Sequence, residues 1–189
     1  WKYVDTMQEL RFEDNVKNGL AGGLTADEFQ IYQGLSKKIF DFSTTLNTPN
    51  FGRNAVSRSM IVLRALRLLF KESKPRVLEW GGGSGYFGGL CREVQYPYAS
   101  TDISQAFYLY QNHFYNHAFP DTLLEAWDKP VDWSDSDFIH IPWWKWVDTQ
   151  WPLPEFDVLI CNHMISEMHP HSLLFGLNRI LRNAKKIIS

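Results

Sequence analysis

Six glycines lie between residues 81 and 89, directly behind a short apolar run in the segment VLEWGGGSGYFGG. Glycine adopts positive φ without a steric penalty and lets a ligand approach the backbone closely. A tight turn from a strand into a helix needs only one or two glycines, and this segment has many more. It therefore predicts a ligand-binding loop at the end of a buried strand.

After Pro75 the chain alternates between strand-like and helix-like patterns. Strands are predicted for RVLEW, YASTDI, FIHIPWW and EFDVLIC, and KKIIS has the pattern of an opening fifth strand. Helices are predicted from Tyr86 to Glu93, over SQAFYLYQNHFYNHAF and over SLLFGLNRILRNAK. This alternation predicts an α/β fold, a Rossmann-like three-layer sandwich whose mostly parallel sheet carries helices on both faces. Ligands of such sheets bind at the carboxyl ends of the strands, where the glycine loop falls.

Helices are also predicted before this alternating segment. Residues 5–20 are weakly periodic, and Thr25 and Glu28 have the spacing of a capping box at the start of a second helix. A third helix has an apolar stripe formed by Val56, Met60, Leu63, Leu66 and Phe70. We predict an N-terminal helical extension over residues 1–53 and a Rossmann-like domain over residues 54–189.

Composition excludes several classes of partner. The net charge of −2 and the pI of about 6.3 provide no surface that would attract a polyanion, so no nucleic-acid partner is expected. No segment approaches the ~20 apolar residues that a membrane span needs, so none is expected. Cys91 and Cys161 stand far apart in apolar contexts, which favours buried free thiols in a reducing compartment and a cytoplasmic protein.

Two classes of cofactor fit the glycine loop. Gly83, Gly85 and Gly88 satisfy G-x-G-x-x-G, the dinucleotide pattern, with Asp102 as a ribose acid. Glu79 opposes that assignment, because a carboxylate beside a pyrophosphate is repulsive in a partly desolvated site. Beside the ammonium and sulfonium groups of S-adenosylmethionine, which has no phosphate, the same carboxylate is favourable. The residues therefore favour S-adenosylmethionine over a nicotinamide cofactor.

Three motifs, in this order, resemble those of class I S-adenosylmethionine-dependent methyltransferases. VLEWGGGSG is similar to the first motif, an acid followed by G-x-G-x-G, while YASTDIS is similar to the second and PEFDVLICNHMISEM to the fourth. The resemblance spans residues 75–189 and implies S-adenosylmethionine as the cofactor. It also implies that Asp102 holds the ribose hydroxyls and that Ile103 lies against the adenine. The implied cofactor-binding set is Glu79, Gly81, Gly83, Gly85, Asp102, Ile103 and Asn162.

One contact of the resembled family has no counterpart in this sequence. The family usually places an aspartate after the third strand to receive the adenine amino group, and this chain has HIPWWKWVD there. No acid stands at the expected place, although Asp148 is close. Backbone groups or tryptophan stacking are the alternatives for holding the adenine.

Candidates for a catalytic base follow the predicted fourth strand. Methyl transfer to a hydroxyl group needs a base, and histidine suits neutral pH. We predict His163 as the base, ahead of His169, with Glu167 as its orienting partner or as an alternative base. The alternative for His163 is that it only packs or bonds to the backbone. Glu167, His169 and His171 have donor atoms that suit divalent ions, yet such short clusters in loops are more often solvated, and no metal site is predicted.

The methyl acceptor is the least constrained part of the prediction. HIPWWKW and NHMISEMHP are similar to segments of bacterial proteins described as sugar O-methyltransferases, and tryptophans at a pocket mouth suit a sugar or an aromatic acceptor. We predict an S-adenosylmethionine-dependent O-methyltransferase acting on a glycan or another hydroxylated small molecule. The alternatives are a nicotinamide-dependent oxidoreductase and a methyltransferase-like binding module without catalysis.

The predicted sheet also lacks sequence for its closing strands. The resembled family has a β-hairpin after its fifth strand, and KKIIS is the final segment here. An uncovered edge strand exposes unpaired backbone N–H and C=O groups. We expect that the natural polypeptide continues beyond Ser189 and that its continuation, or a second copy of the chain in a homo-oligomer, pairs with residues 185–189.

Overall fold

The computed structural model describes residues 19–71, 73–162 and 164–181. The chain divides into two compact units, residues 1–72 and residues 73–189.

Four predictions are untested by the described residues. The helix predicted over residues 5–20 falls almost wholly outside them, and the strand predicted at residues 185–189 falls entirely outside them. The pairing of that strand with a continuation or a second copy is therefore also untested. The domain division predicted between residues 53 and 54 stays a prediction.

Two long helices dominate the first unit: α1 is Ala26–Thr45 and α2 is Arg53–Phe70. The predicted capping box at the start of α1 is confirmed. The backbone N–H of Glu28 donates to the Thr25 hydroxyl at 3.2 Å, and the backbone N–H of Thr25 donates to the Glu28 carboxylate at 2.9 Å. Two N–H groups that a helix start leaves without partners are thereby satisfied.

An ion pair and an apolar face join α1 to α2. Arg64 Nη2 lies 2.6 Å from Glu28 Oε2, and this contact is the main reason that the pKa of Glu28 falls to about 2. The stripe predicted for α2 is buried, except that Phe70 is only half-buried; its buried members are Val56, Met60, Leu63 and Leu66. The 3.6-residue period thus identified the packed face correctly.

Five parallel strands form the sheet described in the second unit. They are β1 (Val77–Trp80), β2 (Tyr98–Thr101), β3 (Leu124–Glu125), β4 (Phe138–Ile141) and β5 (Val158–Ile160). Their spatial order is β3-β4-β2-β1-β5, and every neighbouring pair is parallel. The glycine loop follows β1, which lies between β2 and β5. The loop is therefore at the carboxyl end of an inner strand and not at the end of an edge strand.

Helices connect the strands and cover both faces, which confirms the Rossmann-like three-layer prediction. They are α3 (Tyr86–Glu93), α4 (Gln105–Ala118), α5 (Trp143–Val147) and α6 (Pro170–Leu181), with a 3-10 turn at Met164–Glu167. None of the helices in the described part of the chain is both long and apolar enough to cross a membrane.

The third predicted strand is corrected by the structure. Only the first half of FIHIPWW is a strand, because β4 ends at Ile141 and Pro142 is the N-cap of α5. Proline has no N–H to continue a ladder, and its fixed φ suits the start of a helix. The short strand β3 was not predicted, since two residues leave no readable alternation.

The two faces of the sheet differ in polarity. The face covered by α5 and α6 is apolar, and its buried cluster includes Leu78, Trp80, Ala99, Ile139, Leu159, Trp146 and Ile180. The other face carries buried polar side chains, namely Glu79, Tyr98, Ser100 and His140. These side chains meet α3 and α4, whose contacts include Phe87 against Tyr98 and Tyr115 against Phe138. Buried polar groups need partners, so this face depends on a hydrogen-bond network.

The two cysteines are both free, as predicted, but they are not equally buried. Cys91 is buried, whereas Cys161 is only half-buried, so the expectation of two buried thiols is wrong for Cys161. Burial raises the pKa of Cys161 to about 12 and raises that of Cys91 as well. Neither thiol is therefore activated as a nucleophile.

Candidate functional site

The glycine loop runs from the end of β1 into α3 and adopts the backbone angles that glycine permits. Gly81, Gly83 and Gly85 have φ of +84°, +54° and +75°, in the left-handed region that other residues rarely occupy. The N–H of Gly81 donates to the carbonyl of Thr101 at 2.8 Å, which ties the loop to the end of β2. The loop is thus attached to the strand that carries Asp102.

The glycines of the loop have different roles. A Cβ atom on Gly81 would lie 2.7 Å from the Met164 sulfur, and one on Gly85 would lie 2.6 Å from the Tyr115 hydroxyl. A Cβ atom on Gly83 would meet none of the described residues within 4 Å. Gly81 and Gly85 are therefore required by close packing, and Gly83 is the position where the loop faces open space.

Asp102 lies immediately after β2, buried beside the loop with only 4 % of its surface exposed. Its Oδ2 accepts a hydrogen bond from the Gly83 N–H at 2.9 Å, and its Oδ1 accepts one from the Ser104 N–H at 2.9 Å. Burial raises the pKa of Asp102, and these two N–H donors partly counter that rise. Each carboxylate oxygen keeps a lone pair, so Asp102 can still accept from two hydroxyls.

Glu79 lies beneath the same loop on the polar face of the sheet. It is 2 % exposed and accepts a hydrogen bond from the Tyr98 hydroxyl. A Cβ atom on Gly82 would lie 3.2 Å from its Oε2, so the carboxyl group touches the underside of the loop. Burial is the main reason that the pKa of Glu79 rises to about 7, and the negative charge of Asp102 adds to it. A nearby cation would favour its ionised form.

A pocket of about 330 Å³ opens at the carboxyl ends of the strands on the apolar face. Its walls are Trp80, Ile103, Trp146, Val147, Met168, His171, Ser172 and Phe175. Trp80 and Trp146 pack with ring centroids 5.1 Å apart. Ile103 is 54 % exposed and adjoins Asp102 in the chain. The pocket therefore lies next to the residue that is predicted to accept hydrogen bonds from the ribose hydroxyls. Such a mostly apolar cavity, with two tryptophans and a phenylalanine among its walls, suits a flat ring.

Asp148 does not line this pocket. It is exposed, and its Oδ1 accepts a hydrogen bond from the backbone N–H of Gln150 at 3.0 Å in a turn. Trp146, two residues earlier, is one of the pocket walls and is 1 % exposed. Among the described residues of this segment, an aromatic side chain, Trp146, and not an aspartate therefore lines the pocket.

The structure brings the segment after β5 to the glycine loop but leaves the predicted base outside the described residues. Met164 packs against Gly81, and the half-buried Asn162 lies just before it in the chain. His163 itself is not among the described residues. Glu167 and His169 are exposed, so their proposed roles rest on the sequence alone.

His169 and His171 lie close together at the start of α6. Their ring centroids are 5.2 Å apart, and the backbone N–H of His171 donates to His169 Nδ1 at 3.3 Å. Within the described ranges, no group of three or more histidine, cysteine, aspartate or glutamate side chains has the geometry to hold a metal ion. The His169 ring thus accepts a backbone hydrogen bond in the first turn of α6.

Two residues of α4 that touch the loop were missed by the sequence analysis. The Gln111 side-chain amide donates to the Gly83 carbonyl at 2.9 Å, and the Tyr115 hydroxyl donates to the Gly85 carbonyl at 3.0 Å. Both side chains are completely buried. The available signal was a glutamine four residues before a tyrosine on a helix face crowded with aromatic residues.

Comparison with known proteins identifies the domain. Residues 54–188 match the family model described as a methyltransferase domain. No curated protein matches the chain at a significant level. A crystal structure of Thermoplasma acidophilum 1320 aligns with 83 % of this chain and 67 % of its own, at 12 % identity and a TM-score of 0.49. The matched segment is most of the chain, and the protein therefore belongs to the methyltransferase domain family, a class I group that typically uses S-adenosylmethionine.

Proposed function

We propose that this protein is an S-adenosylmethionine-dependent O-methyltransferase that acts on a sugar or another hydroxylated small molecule. One observation carries the cofactor part of the proposal: the Asp102 carboxylate and the open side of Gly83 adjoin at the carboxyl edge of the sheet. A ribose needs two hydroxyl acceptors, and Asp102 has two free lone pairs. A ligand that lies against the loop needs backbone without a side chain, and Gly83 provides it.

The other cofactor contacts are assigned by the chemistry of their surroundings. Ile103 would carry the adenine on its exposed face, and the adjoining pocket, where Val147 and Phe175 are also exposed, would accommodate the ring. Glu79 would attract the cationic end of the cofactor from below the loop. Asn162 and the backbone of Gly81 and Gly85 complete the proposed set. This arrangement favours apolar packing around the adenine over the aspartate that the resembled family uses.

The buried Glu79 also argues against the nicotinamide alternative. It touches the underside of the loop that would receive a pyrophosphate, and its ionised form would repel that group. A helix N-terminus can bind phosphate, but the Glu79 carboxylate would oppose that attraction here. An inactive binding module retains the same loop, so only a turnover assay separates it from an enzyme.

For the chemical step we propose His163 as the base. When bound, S-adenosylmethionine supplies a methyl group on a sulfonium sulfur, which becomes a neutral thioether after transfer. The acceptor oxygen forms the new bond to carbon, and His163 takes the hydroxyl proton. Glu167 would orient His163 or replace it, and His169 is the second candidate. Their place in the chain after β5, where Met164 packs against the loop, supports this assignment.

The preference for a sugar rests on exposed indole rings of α5, the helix whose Trp146 lines the pocket. Trp143 and Trp144 of α5 are 39 % and 43 % exposed, with ring centroids 6.0 Å apart. Large aromatic rings that face solvent can pack against the apolar faces of a sugar and hydrogen-bond through their N–H groups. Together with the sequence resemblance to sugar O-methyltransferases, they favour a glycan acceptor over a purely apolar one.

Calorimetric titration provides the first test. We expect the 189-residue chain to bind S-adenosylmethionine and its demethylated product, S-adenosylhomocysteine, and to show no binding of NAD or NADP at the same concentrations. Binding of only the nicotinamide cofactors would overturn the proposal. A second assay with a labelled methyl donor and a panel of sugars, oligosaccharides and phenols would then identify the acceptor, and labelling of phenols alone would exclude the sugar.

A further inference from the structure

We infer that Gln111 is a positioning residue for the cofactor, because it fixes the peptide of Gly83 in the orientation that leaves the ligand side of the loop open. The inference rests on the proposed function, since it takes the glycine loop as the cofactor site. Gln111 stands on α4, outside the three motifs that resemble those of methyltransferases, and its side chain is 0 % exposed.

Both polar groups of Gly83 are held by side chains. Its N–H donates to Asp102 at 2.9 Å, and its carbonyl accepts from Gln111 Nε2 at 2.9 Å. A glycine flanked by another glycine and a serine has many accessible backbone conformations. The N–H lies in the peptide before Gly83 and the carbonyl in the peptide after it. With both groups fixed, the two peptide planes that flank Gly83 are defined before any ligand arrives, and the ordering is not left to the binding step.

Gln111 is itself held in place. Its Oε1 accepts from the Ser100 hydroxyl at 3.4 Å, and a Cβ atom on Gly82 would lie 3.3 Å from the same oxygen. Ser100 belongs to β2, two residues before Asp102. The strand that would hold the ribose therefore also orients the side chain that holds the loop, and the two contacts to Gly83 form one connected network.

Tyr115 contributes a second and weaker contact. Its hydroxyl donates to the Gly85 carbonyl at 3.0 Å, but that carbonyl also accepts from the Gly89 N–H at 3.0 Å within α3. Removing the Tyr115 hydroxyl leaves one bond to this carbonyl, whereas removing the Gln111 amide leaves the Gly83 carbonyl without its side-chain donor. A ranking follows, in which the loss of Gln111 affects binding more than the loss of the Tyr115 hydroxyl.

The ranking is testable by titrating folded variants of the full chain with S-adenosylhomocysteine. Gln111→Met keeps the length of the side chain and removes its donor and acceptor, and we expect the dissociation constant to rise about tenfold. Tyr115→Phe is expected to change it about twofold. Asn116→Met, an exposed position on the same helix, is the matched control and is expected to bind normally. Equal affinity of Gln111→Met and Asn116→Met would overturn the inference.

Gln111→Glu separates the donated hydrogen bond from packing. A carboxylic acid can donate to the Gly83 carbonyl, whereas a carboxylate cannot. Burial at this position and the neighbouring carboxyl groups of Glu79 and Asp102 raise the pKa of an introduced carboxyl group. The ratio of the variant's dissociation constant to that of the unmodified chain should therefore fall as the pH is lowered from about 8 to about 5. Glu79 also titrates in this range, and the unmodified chain is measured at each pH for that reason. If Gln111→Met weakens binding and this ratio stays equally high at both pH values, packing and not the hydrogen bond is responsible. Failure of the unmodified chain to bind would instead overturn the cofactor proposal itself.

Discussion

The backbone N–H of Gly83 donates to the carboxylate of Asp102 across 2.9 Å, which joins the glycine loop to the end of β2. Among Gly81, Gly82, Gly83 and Gly85, the donor Gly83 is the position where an added Cβ atom would meet no described residue. The acceptor is the residue proposed to hold the ribose. A ligand that contacts either residue must therefore adjoin the other. The site can be tested by substitution at Asp102, Gly83, Glu79 and His163.

Replacement of Asp102 by alanine should weaken the binding of S-adenosylhomocysteine. The variant loses an acceptor for the ribose and the bond to Gly83, and we expect a loss of at least about 1.5–3 kcal/mol, typical of a hydrogen bond to a charged group. Calorimetric titration measures it. Asp128→Ala removes an exposed carboxylate and serves as the control. Unchanged affinity of the Asp102 variant would remove this residue from the site.

Replacement of Gly83 by valine should abolish cofactor binding while the fold persists. An added Cβ atom meets no described residue within 4 Å, and the branched side chain would occupy the space proposed for the ligand. The left-handed φ of this position costs a valine about 1–2 kcal/mol of stability. Gly22→Val is a matched control, because Gly22 also has positive φ and open surroundings. We expect similar losses of stability in urea for the two variants and a loss of binding only for Gly83. Normal binding by Gly83→Val would show that the loop does not contact the ligand.

Glu79 should make the stability of the free protein depend on pH. Its pKa rises from 4.5 to about 7 on folding, so the folded state holds a proton that the unfolded state releases between these pH values. Stability from this group is therefore greatest below pH 4.5 and decreases as the pH rises to about 7, by about 3 kcal/mol.

Urea unfolding of Glu79→Gln at a series of pH values tests this dependence. The variant cannot ionise, so the unmodified chain should lose about 3 kcal/mol of stability relative to it as the pH rises from about 4.5 to about 7. His140, whose burial lowers its pKa to about 3, contributes in the opposite direction over part of this range, but equally in both proteins. The curve of Asp128→Asn, at an exposed position, should run parallel to that of the unmodified chain. Parallel curves for the unmodified chain and Glu79→Gln would contradict the prediction.

Replacement of His163 by alanine should lower turnover by about 10²–10⁴ with little change in cofactor affinity, because a base acts on the acceptor and not on the bound cofactor. The pH profile of the unmodified enzyme should rise with a midpoint near the ordinary histidine pKa of about 6.5. His113→Ala, at an exposed position of α4, is the control and should keep full activity. Full activity of His163→Ala would exclude it as the base and direct attention to Glu167 and His169.

Much of the fold was predictable because its signals are local. The capping box of Thr25 and Glu28, the bounds of α3 and the succession of the long strands along the chain follow from side-chain period and turn chemistry over a few residues. The errors have local causes too: β3 is too short to show alternation, and Pro142 ends a strand that its apolar neighbours seemed to extend. The glycine loop and Asp102 were also identified from short segments.

Only the tertiary structure decided what each of these residues touches. The sequence shows the loop glycines as equivalent, whereas packing against Met164 and Tyr115 separates Gly81 and Gly85 from the open Gly83. It places Gln111 in an aromatic helix without indicating that its amide reaches a loop 28 residues earlier in the chain. Glycine spacing, capping and alternation are properties of neighbouring residues and can be read in order. Contacts between distant segments depend on how helices and strands pack. The local sequence motifs therefore indicated the kind of site, and the tertiary packing determined its geometry.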